Sequence, residues 1–319
     1  RRQRQMCIRD SSYSGSVEVI NAGFVTDDIL HSKVEGFGSI FTYDDKDAGR
    51  LLVRKPDSNK GTYGRTLIIA GSKNMGGAAI LSASAAYRSG TGLVKVLTHE
   101  VNKTALLCRM PECLISTYQD NMPLAAELKA DFEWAKSIAV GPGLSMNVAA
   151  AEITRCVLET DDKVRILDAD ALNIIAAEHI DYKGSSEGKI IITPHIMEMS
   201  RLTGKTVADI KEHMIESAKE YAIQHSCICI LKDARTVVTD GQKVYINCTG
   251  NDGMSTGGCG DVLTGLIAGM TAMGLDAFEA ACLSVYVHGK AGDYAASGKG
   301  RAGMTAADVS EAIAYVLKR

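Results

Sequence analysis

From about residue 64 onward this chain repeats one unit: a short apolar run that stops abruptly on glycine or a polar residue, then a stretch with helical spacing. RTLIIA at 65–70 stops at Gly71, 138–140 runs into the turn GPGLS, 164–167 into DAD at 168–170, and 190–192 into TPH at 193–195. Continuous apolar runs belong to strands buried on both faces, and strands joined by helices lie parallel, because a parallel neighbour is reached only through a long crossover. The unit therefore predicts an α/β fold of three αβα layers around a mainly parallel central sheet. Further strands are expected at 93–98, 227–231, 236–239 and 244–246, the last two joined by a turn at Asp240 and Gly241. Helices are expected at 78–88, 149–159, 206–224, 277–297 and 304–318. Ligands of such sheets bind beyond the carboxyl ends of the strands, so the residues that stop each run should share one rim. A stretch at 40–62, rich in charge, glycine and proline, reads as a linker.

The densest signal for chemistry is GNDGMSTGGCGDVLTG at 250–265, where five glycines precede Asp261 and an apolar helical stretch follows. Glycines let backbone N–H groups crowd around an anion, and the positive end of the following helix points into the same space. Asp261 at the helix start is then placed to take a proton from a hydroxyl while the loop holds a phosphoryl group. Asp261 also fits an ordinary helix N-cap, a role that gives the glycine pairs no purpose. The loop is not a Walker A motif, since no lysine follows its last glycine.

With 319 residues, 46% of them hydrophobic, and a net charge of −3, the chain can bury one large α/β core plus a short extension. The single basic run is the terminal RRQRQ, so nothing suggests a nucleic-acid or membrane surface, and no apolar run approaches the ~20 residues of a membrane span. Nine cysteines occur without CxxC or paired-histidine spacing, which points to reduced thiols and a cytoplasmic location. Cys227 and Cys229 alternate in an apolar run and are expected on one side of a buried strand. The chain begins at Arg1, and RRQRQMCIRDSS matches neither a signal peptide nor a recognisable element.

Each strand end offers candidates with a plainer reading beside them. Gly71, Gly76 and Gly77 in GSKNMGGAA permit close backbone approach, for a ligand or for helix packing on the sheet. Gly141 and Gly143 flank Pro142 in a turn that would leave N–H groups free for phosphates, or is simply a turn. Asp168, Asp170 and Asn173 lie beyond a strand, where carboxylates could hold hydrated Mg²⁺ through water, although Asp170 equally fits a helix cap. His195 projects at the rim after Pro194, and Glu198 one turn on is placed to orient a metal or His195. Lys232 ends a strand, so its ammonium can meet a phosphate as a point charge or stay in solvent.

Six blocks, RKPDSNKGTYGRTLIIAGSKNMGGAAILSASAAYRSGTGLVKV, VGPGLS, LDADALN, ITPHIMEMSRLTG, LKDARTVV and STGGCGDVLTGLIAG, follow in the order of the ADP-dependent NAD(P)H-hydrate dehydratase family, and over about 55–319 the chain resembles that family. The resemblance implies a ribokinase-like fold over 46–319, with residues 1–45 an N-terminal extension. Residues 12–45, with YSGSVEVINAGF, resemble the tail of the NAD(P)H-hydrate epimerase domain that precedes the dehydratase in bifunctional enzymes; no epimerase activity is expected from so short a piece. The implied reaction is repair: (6S)-NADHX or NADPHX is phosphorylated on its ring hydroxyl by ADP or ATP, and phosphate leaves to restore NADH or NADPH, giving AMP and phosphate when ADP is used. By resemblance, Asp261 is the catalytic base. Ala78, Gly143, His195 and Asp261 bind the substrate, and Lys232, Asp233, Ala234, Arg235, Thr236, Gly257, Gly258 and Gly260 bind the nucleotide. Ala78 and His195 are expected on a different part of the rim from Lys232 and Gly260. Mg²⁺ is expected with no direct protein ligand, Asp170 and Glu198 holding it through water. The family commonly has glycine where Asp233 stands, which puts a side chain and a negative charge beside the nucleotide. The resemblance also implies a homotetramer, a functional link to an epimerase, and a preference for ADP.

Two other classes of function fit part of the pattern. A ribokinase-like kinase would share the glycine loop and stop at the phosphate ester. A nucleotide-binding sensor would share the loop without turnover, but a carboxylate beside the phosphate weakens plain anion binding, so Asp261 counts against it.

Overall fold

The structure, a computed structural model, describes residues 40–45, 47, 54–120, 125–185 and 189–318. In chain order these form β1 (Ile40–Phe41), β2 (Arg65–Ile69), α1 (Gly76–Arg88), β3 (Leu93–His99), α2 (Lys103–Arg109), β4 (Leu114–Tyr118), α3 (Ala125–Trp134) and β5 (Ser137–Val140). Next come α4 (Val148–Leu158), β6 (Val164–Leu167), α5 (Asp170–Glu178), β7 (Ile190–Ile192), α6 (Ile196–Thr203), α7 (Val207–Glu212), α8 (Met214–His225), β8 (Ile228–Leu231), β9 (Val237–Thr239) and β10 (Val244–Ile246). Helices α9 (Cys259–Ala272), α10 (Ala277–Lys299) and α11 (Ala306–Val316) close the chain.

The strands form one sheet in the order β1-β10-β9-β8-β7-β6-β5-β2-β3-β4. Among the described strands β9 alone runs against its neighbours, β8 and β10, as the hairpin at Asp240 and Gly241 requires. All other pairs are parallel. Successive strand side chains point to opposite faces, and the core divides accordingly. Ile68, Val96, Ala139, Ile166 and Ile191 pack under α1, α9, α10 and α11, whereas Leu67, Ile69, Ile138, Val140 and Leu167 pack under α3 to α8. The result is the expected three layers. Helix α9 is buried along nearly its whole length, which explains why its sequence is apolar all round rather than on one stripe.

The expected linker at 40–62 is corrected in part. Ile40 and Phe41 pair in parallel with Val244 and Tyr245, and the Tyr43 ring lies tilted against Tyr245 with centroids 4.9 Å apart, so this segment is an edge of the sheet. At its other end Asn59 caps a short 3₁₀ turn, Lys60–Tyr63, and Tyr63 accepts the Lys55 N–H at 2.8 Å. Residues 1–39, with the YSGSVEVINAGF segment, and residues 46 and 48–53 lie outside the described residues. The helical stretch at 206–224 is two helices, α7 and α8, broken at His213. Cys227 and Cys229 do share one face of the sheet, in the core under α8.

Candidate active site

Asp168 organises the rim. It follows β6, is 1% exposed, and has both carboxylate oxygens occupied. Oδ1 accepts from Thr193 Oγ1 at 2.6 Å and from Lys232 Nζ at 2.8 Å, and Oδ2 accepts from Thr264 Oγ1 at 2.7 Å. Burial works to raise its pKa, yet Lys232 and the two hydroxyls together hold it below the ordinary carboxylate value. Lys232 is the mirror case: burial works against its charge, and Asp168 followed by Glu198 outweighs it, so the ammonium is held. One expectation changes here: Asp168 is not an exposed carboxylate awaiting hydrated Mg²⁺. The plainer reading of Lys232 as a solvated lysine is set aside as well, since its ammonium is bound to Asp168.

The next residue, Ala169, has φ 48°, a conformation L-residues seldom take, and this bend sends Asp168 inward and Asp170 the other way. Asp170 Oδ2 accepts the Ser145 N–H at 2.7 Å, fastening the GPGLS turn. Asp170 is thus a clamp on a neighbouring turn and not the N-cap of α5, a position held by Ala169. Gly141 has φ 125°, and a Cβ there would stand 1.8 Å from the Asp168 carbonyl oxygen, so no other residue fits.

At the head of α9 the N-cap is Gly258, with φ 95° and no side-chain cap. The helix start therefore presents uncapped N–H groups, as an anion site requires. Asp261 lies in the first turn, not at the cap, which removes the bland reading of it. Burial first, then Asp168, raises its pKa from an ordinary 3.8 to about 7, with Lys232 pulling the other way and Asp170 adding to the rise. A carboxylate poised there is half-ionised near neutrality and suits proton abstraction. Above it Gly257 has open space where a Cβ would be. At Gly260 a Cβ would stand 3.5 Å from Lys232 Nζ. Gly260→Val should therefore fold and yet fill the space over the helix start, weakening ADP at least ~10-fold by removing close backbone approach; unchanged affinity by calorimetry would refute the assignment.

Elsewhere on the rim, the GPGLS turn packs on the head of α1: Ser72 N donates to Gly143 O at 2.6 Å, and a Cβ at Gly143 would stand 2.9 Å from Ala78 Cβ. Ala78 and Gly143 are brought together. Gly71 and Gly76 serve packing, since added carbons would meet Thr98 and Asn102, whereas Gly77 faces open space. His195 caps α6, its Nδ1 accepting from the Met197 and Glu198 N–H groups at 3.1 Å. Glu198 returns the bond, accepting the His195 N–H at 2.8 Å, and its Oε1 lies 3.3 Å from Nε2, so Glu198 fixes His195 in place. Burial, then Lys232, lowers the His195 pKa, keeping the ring neutral. His195 is not remote from Lys232 as expected: a single bridge pairs the two residues across β7 and β8, and Lys232 N donates to Pro194 O at 2.8 Å. The two residues meet at this point because adjacent parallel strands end side by side.

Asp233 to Thr236 turn the chain from β8 to β9. Thr236 Oγ1 donates to the Asp233 carbonyl at 3.2 Å, and the Asp233 side chain is exposed. Thr193, just past an apolar run, and Thr264, a lone hydroxyl inside one, carry no other sequence signal of their place in this hub.

A family model for NAD(P)H-hydrate dehydratase matches residues 66–315. The bifunctional NAD(P)H-hydrate repair enzyme Nnr of Moorella thermoacetica is 38% identical over 280 residues, 84% of this chain and 52% of that protein. The Escherichia coli K12 enzyme of the same name is 35% identical over 260 residues, 81% of this chain and 48% of the relative. The chain thus spans about half the length of the curated relatives it matches. Among solved structures, the ADP/ATP-dependent NAD(P)H-hydrate dehydratase of Bacillus subtilis, co-crystallised with ATP and Mg²⁺, superposes with a TM-score of 0.77 at 31% identity, covering 86% of this chain and 97% of that one. A ribokinase-like protein of Enterococcus faecalis V583 gives a TM-score of 0.80 at 27% identity, covering 90% and 98%. From its second strand to its last helix, this chain belongs to the NAD(P)H-hydrate dehydratase family of the ribokinase-like superfamily.

Proposed function

We propose that this chain dehydrates (6S)-NADHX and NADPHX to NADH and NADPH, phosphorylating the ring hydroxyl with ADP or ATP and eliminating phosphate. The observation that carries this reading is a half-buried Asp261, its pKa pushed up to about 7, in the first turn of a helix whose N-terminus is uncapped. Asp261 takes the proton of the substrate hydroxyl as the oxygen attacks the terminal phosphoryl group, and the N–H groups of the helix start and glycine loop stabilise that group's charge. Lys232, anchored by Asp168, adds positive charge beneath the loop. The second step needs little from the protein, because the ring nitrogen pushes out phosphate beside it and loss of the neighbouring proton restores the dihydropyridine.

Ala78, Gly143 and His195 are assigned to the substrate, and Lys232, Asp233, Ala234, Arg235, Thr236, Gly257, Gly258 and Gly260 to the nucleotide. Mg²⁺ is taken to arrive on the nucleotide phosphates, a reading supported by the Bacillus subtilis dehydratase co-crystallised with ATP and Mg²⁺. When bound, it would neutralise phosphate charge, with Asp170 and Glu198 reaching it through water. The eight described cysteines are all unpaired, which suits a reducing cytoplasm. Assembly as a homotetramer and a link to an epimerase, supported by the bifunctional names of relatives, complete the proposal. No described helix is long and apolar enough to cross a membrane.

The test is incubation with NADH hydrate, Mg²⁺ and ADP: dihydronicotinamide absorbance should return, with one AMP and one phosphate released per hydrate consumed. A stable phosphorylated product without absorbance would instead mark a kinase, and no nucleotide consumption a sensor. Ala78→Leu, which adds bulk where the Gly143 turn already approaches Ala78 closely, should raise KM for the hydrate at least ~10-fold by overpacking that wall while leaving KM for ADP unchanged. Equal losses for both ligands would mean that Ala78 is not on the substrate side.

A further inference from the structure

Between α5 and α6 lies an open cavity of about 520 Å³, lined by Met146, Asn173, Ala176, Ala177 and Arg201. That volume suits part of a small molecule. Two of its walls continue segments that hold assigned substrate residues, the turn with Gly143 and the helix α6 capped by His195, and the third is α5, which starts at Asp170. Met146 follows Ser145, which Asp170 fastens, Asn173 lies one turn beyond Asp170 on α5, and Arg201 lies one turn beyond Glu198 on α6. One helical turn is about 5.4 Å, so the cavity adjoins the rim directly.

The cavity walls are apolar except for one polar pair. Arg201 Nη1 donates to Asn173 Oδ1 at 2.7 Å. A neutral amide orients the guanidinium without cancelling its charge, and Arg201 enters no ion pair among the described residues. The remaining N–H groups of the fork are left for an acceptor, and a phosphate is the ligand such a fork matches best. Charge on the rim points the same way. Asp168, Asp170, Glu198 and Asp261 would repel an anionic dinucleotide, and of the two cations that act on His195, Lys232 is bound to Asp168 and Arg201 faces the cavity. Small Ala176 and Ala177 leave room, and half-exposed Met146 offers an adaptable apolar wall.

We propose that Arg201 is a specificity-determining residue that binds a phosphate group of the dinucleotide substrate in the cavity between α5 and α6. This rests on the dehydratase reading and adds where the anionic part of the substrate goes.

Arg201→Gln keeps a donor for Asn173 and removes the charge. It should raise KM for the hydrates at least ~10-fold, the worth of one charge-assisted hydrogen bond, with kcat falling less than KM rises and KM for ADP unmoved. Arg201→Lys should recover part of the loss. A loss confined to NADPH hydrate identifies the 2′-phosphate, and equal losses for both hydrates identify the pyrophosphate shared by the two; either supports the site. Hydrate KM values within two-fold of the parent's for both substrates overturn it. If the parent protein turns over neither hydrate, the dehydratase reading fails by itself, and calorimetry with NADPH then decides the phosphate site: unchanged affinity in Arg201→Gln overturns it, and a ~10-fold loss sustains it.

Discussion

Asp261→Asn should lower turnover of the hydrate at least ~10²-fold, the contribution of a positioned general base, and at about pH 8 should leave the protein more stable than its parent. Both effects come from one environment, partial burial beside Asp168. The folded state holds the Asp261 carboxyl at about 7 against an ordinary 3.8, so the folded chain favours the protonated form. Stability from this group is fully present below the ordinary value and is lost as pH rises through about 7. The shift corresponds to at most about 4 kcal/mol above that range, and asparagine, which cannot ionise, avoids that loss. For activity the sign reverses: only the ionised carboxylate can accept the hydroxyl proton, so kcat/KM should climb as pH rises and be half-maximal near 7. A base held in an unfavourable environment is thus a local cost to the fold that the reaction requires. Near-normal turnover in Asp261→Asn, or a pH profile flat between about 5.5 and 8.5, would remove Asp261 from its role.

How far the sequence could be read depended on where each element gets its partners. The central strands β2, β5, β6, β7 and β8 are buried on both faces, so each is a bare apolar run and visible as one. Strand β4, LISTY, is an edge with Leu114 exposed and its middle half-covered, so it carries no such signal and was not foreseen. β1 is two residues long, and its place is set by Val244 and Tyr245, about two hundred positions away, which no local pattern encodes. The glycine loop with Asp261 was legible because glycine and aspartate in that order have few other uses. The Asp168 hub was not. Its three partners stand 25, 64 and 96 positions along the chain, and only the sheet order brings them together. The nearness of His195 to Lys232 was hidden for the same reason, as strands adjacent in the sheet are separated in sequence by three helices.

Asp168→Ala should be the most destabilising single change at the rim, costing about 3–5 kcal/mol, because it strands a buried ammonium and two buried hydroxyls. Asp168 is 1% exposed and the Lys232 side chain 20% exposed, so water cannot replace the lost bonds fully. The net worth of the pair is a separate matter: a buried ion pair can be no better than an apolar pair of similar volume, and its removal as a unit is far cheaper than breaking it. Lys232→Met placed in the Asp168→Ala chain should therefore recover at least about 1 kcal/mol of the loss, giving a large coupling in a double-mutant cycle. Activity should not return with stability, since the lysine is assigned to the nucleotide phosphates and the loop above it loses its charged floor. Chemical denaturation of the four chains, paired with ADP calorimetry, reads both quantities. An Asp168→Ala loss below about 1 kcal/mol, or losses that simply add in the double variant, would mean that Asp168 and Lys232 are held independently and that the hub does not organise the site.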